Sequence, residues 1–309
     1  MFVRWGGKLI VKPIKTELAG IEVVDGYRLV TSYSQIDKHL NCPYSWYLKY
    51  IEKIKSDIKA KALEYGLAVH ETFEYFFDMR KLGIHLEIGE VKDFYRKAFT
   101  NHEIPFDSKE EEDEYFEEGL VAIDRLYNPV TEAERIMVDP DTEILGVEED
   151  FELPIKLPKP IEVAYVDEEG NQKILKSDVV YVIGFIDLVL RAKEGIVIID
   201  HKSGKKAFDK KKLEENLQFP IYDIAILLKY GEMPFKNLYN FTKIHKSQEV
   251  VVDESRIERS KEDCVTVFKK MNRAKQTAKP SFLCYWCDYS IHKLDVCKRS
   301  SDFKPKNAK

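Results

Sequence analysis

The stretch that decides the fold is Val182-Ile183-Gly184-Phe185-Ile186-Asp187-Leu188-Val189-Leu190, then Arg191-Ala192-Lys193-Glu194-Gly195, then Ile196-Val197-Ile198-Ile199-Asp200-His201-Lys202. Two runs rich in Val and Ile, separated by a short charged segment ending in glycine, read as a β-hairpin. Pairing that is symmetric about the midpoint between Lys193 and Glu194 sets Asp187 opposite Asp200. Residues so opposed have Cβ atoms about 4.5–5.5 Å apart. Lys202 lies two residues beyond Asp200 and shares its face, provided no bulge shifts the register.

Two carboxylates held that close repel, and a divalent cation, which prefers oxygen ligands, relieves the cost. Mg²⁺ there would polarise a phosphate and lower the pKa of water. Lys202 would orient that water or stabilise charge growing on the phosphoryl oxygens. The alternative is an ordinary hairpin whose acids mark strand ends in solvent. An apolar run leading into an acid on both strands argues for the first reading.

Working outward, Ile144 to Ile155, Ile161 to Tyr165 and Leu238 to Ile244 also read as strands, and Lys210 to Lys229 as a helix. Upstream, Thr31 to Ile54 reads as a helix with Ser34 as candidate N-cap, and Ala60 to Lys81 as a longer one. Gly89 to Glu134 is helical, charged and expected to be peripheral, and its acidic run Asp107 to Glu114 is a solvated helix start. Strands interleaved with helices give an α/β class. With no repeat or linker evident, one domain is expected, with a helical part over 31–140, an α/β core over 142–250 and a cysteine-containing segment over 260–300.

The 309 residues are 44% hydrophobic and 33% charged, with no run of about 18 apolar residues. Met1 to Gly7 lacks the features of a signal peptide, so a cytoplasmic location and no membrane partner are expected. A net charge of −5 argues against coating nucleic acid by bulk charge. Basic residues gather locally instead, in Lys202 to Lys212 and in the tail from Lys298 to Lys309.

Gly184-Phe185-Ile186-Asp187 followed by Ile199-Asp200-His201-Lys202-Ser203-Gly204 resembles the core signature of RecB-like PD-(D/E)XK nucleases. Gly66-Leu67-Ala68-Val69-His70 looks like that family's Gly-x-x-x-His, and Gln218-Phe219-Pro220-Ile221-Tyr222 like its Gln-x-x-x-Tyr. Ser32-Tyr33-Ser34 with Asn41-Cys42-Pro43-Tyr44 is similar to its opening helix. The resemblance implies a central mixed sheet flanked by helices, the restriction-endonuclease-like core, with a helical N-terminal part and insertion. It implies catalysis by Asp187, Asp200 and Lys202, and Mg²⁺ or Mn²⁺ on His70, Asp187 and Asp200. Gln218 and Tyr222 would orient DNA or brace the lysine, and Glu148 or Glu149 would match a further acid. Without the family, His70 reads as an ordinary histidine near Phe73 and Phe77, and Gln218 with Tyr222 as a half-buried helix face with an awkward Pro220 between them.

Of five cysteines, Cys284 and Cys287 form a Cys-x-x-Cys, with Cys297 after them and Cys42 far upstream. Four thiolates suit zinc or an iron–sulfur cluster. The arrangement resembles that of AddB and the CRISPR-associated RecB-like exonucleases, which implies a [4Fe-4S] cluster tying the ends of the nuclease together. The last spacing is longer than the family's and contains His292, so zinc or buried thiols stay open, while Cys264 reads as a buried thiol. The function implied is an exonuclease on single-stranded DNA or DNA ends. A structure-selective endonuclease and a non-catalytic DNA-binding subunit are the alternatives. With no Gly-x-x-x-x-Gly-Lys-[Ser/Thr] present, the chain would either work alone or join a helicase or recombination partner made elsewhere.

Overall fold

The computed structural model describes residues 10–18 and 21–303. The opening heptapeptide and the end of the basic tail, from Lys304, lie outside the described residues. In chain order the elements are β1 (Ile10–Leu18), β2 (Ile21–Thr31), α1 (Tyr33–Asn41), α2 (Pro43–Tyr50), α3 (Lys61–Lys81), α4 (Ile88–Asn101), α5 (Lys109–Tyr127) and α6 (Glu132–Val138). They continue with β3 (Glu143–Val166), β4 (Gln172–Ala192), β5 (Gly195–Lys202), α7 (Lys210–Glu215), α8 (Gln218–Tyr230), β6 (Lys236–Phe241), β7 (Lys246–Glu249) and α9 (Glu254–Met271). The strands pair in the order β1-β2-β4-β5-β6-β7, with β3 also on β4. Parallel and antiparallel pairs alternate along that order, so the sheet is mixed and the fold is the α/β class expected. Among the described residues no helix is long and apolar enough to cross a membrane.

Two compact units divide the chain: Met1–Ile58 with Glu152–Gly184 and Ser255–Lys309, and Lys59–Phe151 with Phe185–Glu254. In the second, the β4–β5 hairpin pairs Leu188 with Ile199, Val189 with Ile198 and Arg191 with Ile196, which is the register expected from its turn. Leu188, Val189, Leu190, Ile198 and Ile199 are fully buried on both faces, as strands with a covered sheet on each side must be. Helices α4, α5 and α6 are not peripheral. They bury Val91, Tyr95, Phe99, Ile123 and Met137 in one core with Phe73, Phe77, Leu188 and Ile199. The charges of this segment occupy the outward faces of amphipathic helices, which concealed its core role in the sequence. At Gly119 on α5 a Cβ would fall 2.0 Å from the Tyr95 hydroxyl, so glycine is what lets α4 and α5 approach. The acidic run behaves as read: Ser108 caps α5 by accepting from Glu111 N, and Glu110 to Glu112 fill the first turn.

Several boundaries differ from expectation. The helix read over Lys210 to Lys229 is two helices, and α8 starts afresh at Gln218, whose N–H donates to Asn216 Oδ1 at 2.7 Å. Pro220 therefore sits in a first turn, where no intrahelical partner for its nitrogen is needed. β3 runs unbroken through Pro158 and Pro160. Among the described residues it pairs only with β4, and an edge strand tolerates proline.

In the first unit, the helix read over Thr31 to Ile54 breaks at Cys42, which is extended (φ −157°, ψ 105°) because proline follows it. The N-cap is Ser32, not Ser34: its hydroxyl accepts from Gln35 N at 3.3 Å. β1 and β2 had no counterpart in the sequence reading. They pair antiparallel with a register shift between Pro13 and Lys15, and β2 joins β4 in parallel at Leu29 to Thr31. Leu48, Tyr289 and Cys297 form a small separate core beneath the C-terminal segment.

Candidate active site

The hairpin ladder ends at Leu188–Ile199, and one step further the two acids emerge. The backbone N–H of His201 donates to Asp187 Oδ2 at 2.8 Å. Asp200, 1% exposed, accepts from Gln218 Nε2 at 2.6 Å and is ion-paired with Lys202. Gln218 Nε2 also donates to the Tyr222 hydroxyl at 2.9 Å, and Gln218 Oε1 accepts from Tyr239 at 3.3 Å. The i, i+4 pair on α8 thus braces Asp200, with Tyr239 of β6 closing the network. Lys202 Nζ stands 5.3 Å from the Tyr239 ring centroid.

His70 comes from the middle of α3. Its Nε2 contacts Glu148 Oε1 and its Nδ1 lies 3.8 Å from Asp187 Oδ2. His70, Glu148 and Asp187 each offer one ligand atom, all within 4.8 Å of one another. Of the two neighbouring glutamates, Glu148 is the one that meets His70. Its backbone is left-handed (φ 45°), which turns β3 locally, while Glu149 faces away to ion-pair with Lys229 and accept from the Tyr230 hydroxyl at 2.7 Å. Asp200, expected as a ligand beside His70, stands outside that triad. Gly66 lets α3 approach the loop after β5, since a Cβ there would meet Ser203 Oγ at 2.5 Å.

Charge crowding sets the electrostatics. Burial and then the neighbouring Asp200 push the Asp187 carboxyl up to about 7, against the pull of His70, Lys202 and the His201 N–H. Burial opposes protonation of His70, but the Glu148 hydrogen bond and the charges of Asp187, Glu148 and Asp200 outweigh it and raise it to about 9. His201, the middle residue of Asp-x-Lys, was not singled out in the sequence. Its ring lies 4.9 Å from that of Phe73 and stacks at 6.3 Å on Phe77. Burial, then His70 and Lys202, hold its pKa well below the ordinary histidine value. It is a neutral aromatic spacer that fixes the backbone donor for Asp187.

The family model of the PD-(D/E)XK nuclease superfamily matches residues 30–292. The chain belongs to that superfamily. No curated protein matches it. PD-(D/E)XK nucleases typically use Mg²⁺ or Mn²⁺, and the residues here fit such an ion. Two carboxylates and one imidazole converge, a donor set suited to a hard divalent cation. The raised Asp187 pKa marks the electrostatic strain that a cation would relieve.

The other residues singled out lie in the first unit of this nuclease. Cys42, Cys284, Cys287 and Cys297 line one cavity of about 380 Å³. Lys279 N–H points at Cys42 Sγ (3.4 Å) and Ser281 N–H at Cys284 Sγ (3.5 Å). Cys297 is pushed up by burial, and further by Cys42 and Cys287 nearby. Among the described residues no three cysteine sulfurs lie within the 4.8 Å mutual spacing seen at His70. His292 does not line the cavity. Cys264 is buried within α9, where desolvation pushes its thiol up to about 12.

Proposed function

We propose that this PD-(D/E)XK protein is a deoxyribonuclease of the RecB-like kind that hydrolyses phosphodiester bonds from DNA ends or in single strands, chiefly as an exonuclease. The observation that carries this reading is the meeting of Asp187, Asp200 and Lys202 at the end of one hairpin, beside His70 and Glu148. His70, Glu148 and Asp187 would hold the divalent ion. When bound, the ion supplies Lewis-acid polarisation of the scissile phosphate and a lower pKa for nearby water. Asp200, held in place by Gln218, would direct a water molecule in line with phosphorus, and the Lys202 ammonium would offset charge on the phosphoryl oxygens as the P–O bond breaks. Water adds to phosphorus and the leaving oxygen departs as a hydroxyl.

Four cysteines lining one cavity support a [4Fe-4S] cluster as a structural staple joining the α1–α2 junction to the C-terminal segment. A single zinc holds its sulfurs at about 2.3 Å, so they must lie within about 3.8 Å of each other. A cluster spreads its thiolates over several irons and so holds them farther apart.

Purified protein with Mg²⁺ and end-labelled or circular single-stranded DNA tests the activity. Loss of label from linear substrate with circles left intact is expected. Cleavage of circles would replace the exonuclease with an endonuclease. No cleavage with Mg²⁺ or Mn²⁺, despite DNA binding, would leave a non-catalytic DNA-binding subunit.

A further inference from the structure

Segment Phe282 to Trp286 carries large apolar side chains in solvent: Phe282 is 59% exposed, Tyr285 49% and Trp286 68%. Trp286 has the greatest surface to lose among them, and a rigid indole left that open costs hydration free energy unless something covers it. The rings are ordered relative to one another. Phe282 and Tyr285 each stand edge-on to Trp286 at 6.1 Å, and Tyr285 meets Phe303 at 5.9 Å. The backbone beneath is tied down: Trp286 N–H donates to Leu283 O at 3.2 Å, and Lys293 Nζ to Trp286 O at 3.1 Å.

The surroundings are cationic. The charged residues that line the cavity with Trp286 are Lys38, Lys49, Lys279 and Arg299, against one acid, Asp37. From Lys269 to Phe303 the chain has eight Lys and Arg against three Asp, in a protein of net charge −5. Each of those aspartates is paired within the segment: Asp288 with Lys293, Asp295 with Lys298 and Asp302 with Arg299. Exposed flat rings beside a surplus of cations match the two needs of a single strand, a π-face for each base and positive charge for each phosphate. A protein partner would be served by the apolar patch but not by the charge, and a duplex hides its base faces.

We propose that Phe282, Tyr285 and Trp286, with the cations beside them, form a stacking platform for single-stranded DNA. The choice of DNA as the strand rests on the nuclease reading above.

Titration of the full-length protein with oligothymidylate of about 15 nucleotides in EDTA tests it, because without divalent ions binding is read apart from cleavage. Of the three tryptophans, Trp46 is fully buried and Trp5 lies outside the described residues. Emission quenched in wild type, with much of the quench lost in Trp286→Phe, is expected. Trp286→Ala should bind about 5- to 150-fold more weakly, the loss of one base–aromatic stack. Trp286→Phe should keep most of the affinity, and duplex binding should not change. Lys279→Ala should lower the salt dependence by about 0.7 in log–log slope, which Trp286→Ala should leave alone.

Equal single-strand affinity for Trp286→Ala and wild type would overturn the platform, as would an unquenched wild type. Loss of self-association in Trp286→Ala without loss of DNA affinity would instead make the patch a contact between copies of the chain. A Trp286-dependent affinity without any cleavage in Mg²⁺ would keep the platform and remove the nuclease reading. Cleavage with an unaltered Trp286→Ala affinity would do the reverse.

Discussion

Asp187 on β4 is held by the backbone N–H of His201 on β5, at 2.8 Å. The carboxylate is thereby fixed by the partner strand and not by a mobile side chain, so a substitution that keeps an acceptor there changes charge with little change in geometry. Asp187→Asn is such a change. The folded carboxyl titrates at about 7, above the ordinary value near 3.9. Its folded-state preference for the proton stabilises the protein fully below that ordinary value, and is lost as pH rises through 7. In EDTA above pH 7 the variant should therefore be more stable, by on the order of 1 kcal/mol once the lost attraction to His70 is set against the relief. Mg²⁺-dependent cleavage should disappear. Thermal melts at pH 5 and pH 8 check it: a Tm gain confined to the higher pH is expected, and a Tm loss there would contradict the charge-crowding account.

Metal binding should release protons. A cation on His70 and Asp187 needs a neutral imidazole and an ionised carboxyl, and these groups titrate at about 9 and about 7. Raised in the folded state, the His70 imidazolium adds stability that is present below its ordinary pKa and lost as pH rises through 9. Mn²⁺ affinity should climb from pH 6 to pH 9, with about one proton or more released per ion near pH 7 and few above pH 9. Calorimetry in buffers of different ionisation enthalpy reads this directly. Heats that do not depend on the buffer would show that these groups do not hold the ion.

Gly66 and Ser203 should be coupled. Gly66→Ala alone should lose about 1–2 kcal/mol through overpacking against Ser203 Oγ, 2.5 Å from the new Cβ. Ser203→Ala removes that oxygen, and its own Cβ would remain 3.4 Å from the new methyl. The double variant should recover wild-type stability or exceed it, since alanine favours the helix by about 1 kcal/mol. A double-mutant cycle in urea checks the coupling. Additive losses would mean that α3 shifts instead of the serine clashing.

Cys284→Ser should lower bound metal and Tm together, while Cys264→Ser, away from the cavity, should alter neither. Elemental analysis of anaerobically purified protein discriminates the outcomes. About four irons per chain accords with a cluster, about one zinc with a tetrahedral site, and no metal with free thiols.

Short-range pattern was enough for the hairpin, because strands paired about a turn centred between Lys193 and Glu194 have a single symmetric register. That register, together with the strands' apolar runs, predicted where Asp187 and Asp200 would emerge. The helix of His70, the acidic start of α5 and the i, i+4 pair Gln218–Tyr222 follow equally from local spacing. Helix ends were less clear because proline acts on the residue before it, as at Cys42, and because a side chain such as Asn216 can restart a helix. Other features depended on distant parts of the chain. The preference for Glu148 over Glu149 came from a left-handed residue in β3 and from Lys229 and Tyr230 drawing the neighbour away. The burial of α4 to α6 came from apolar faces, aromatic in α4 and α5, that only a core could accept. The pairing of β2 with β4 joins residues about 150 positions apart, and β2 carries no local signal naming its partner. Such contacts arise where packing, not propensity, selects among locally equal choices.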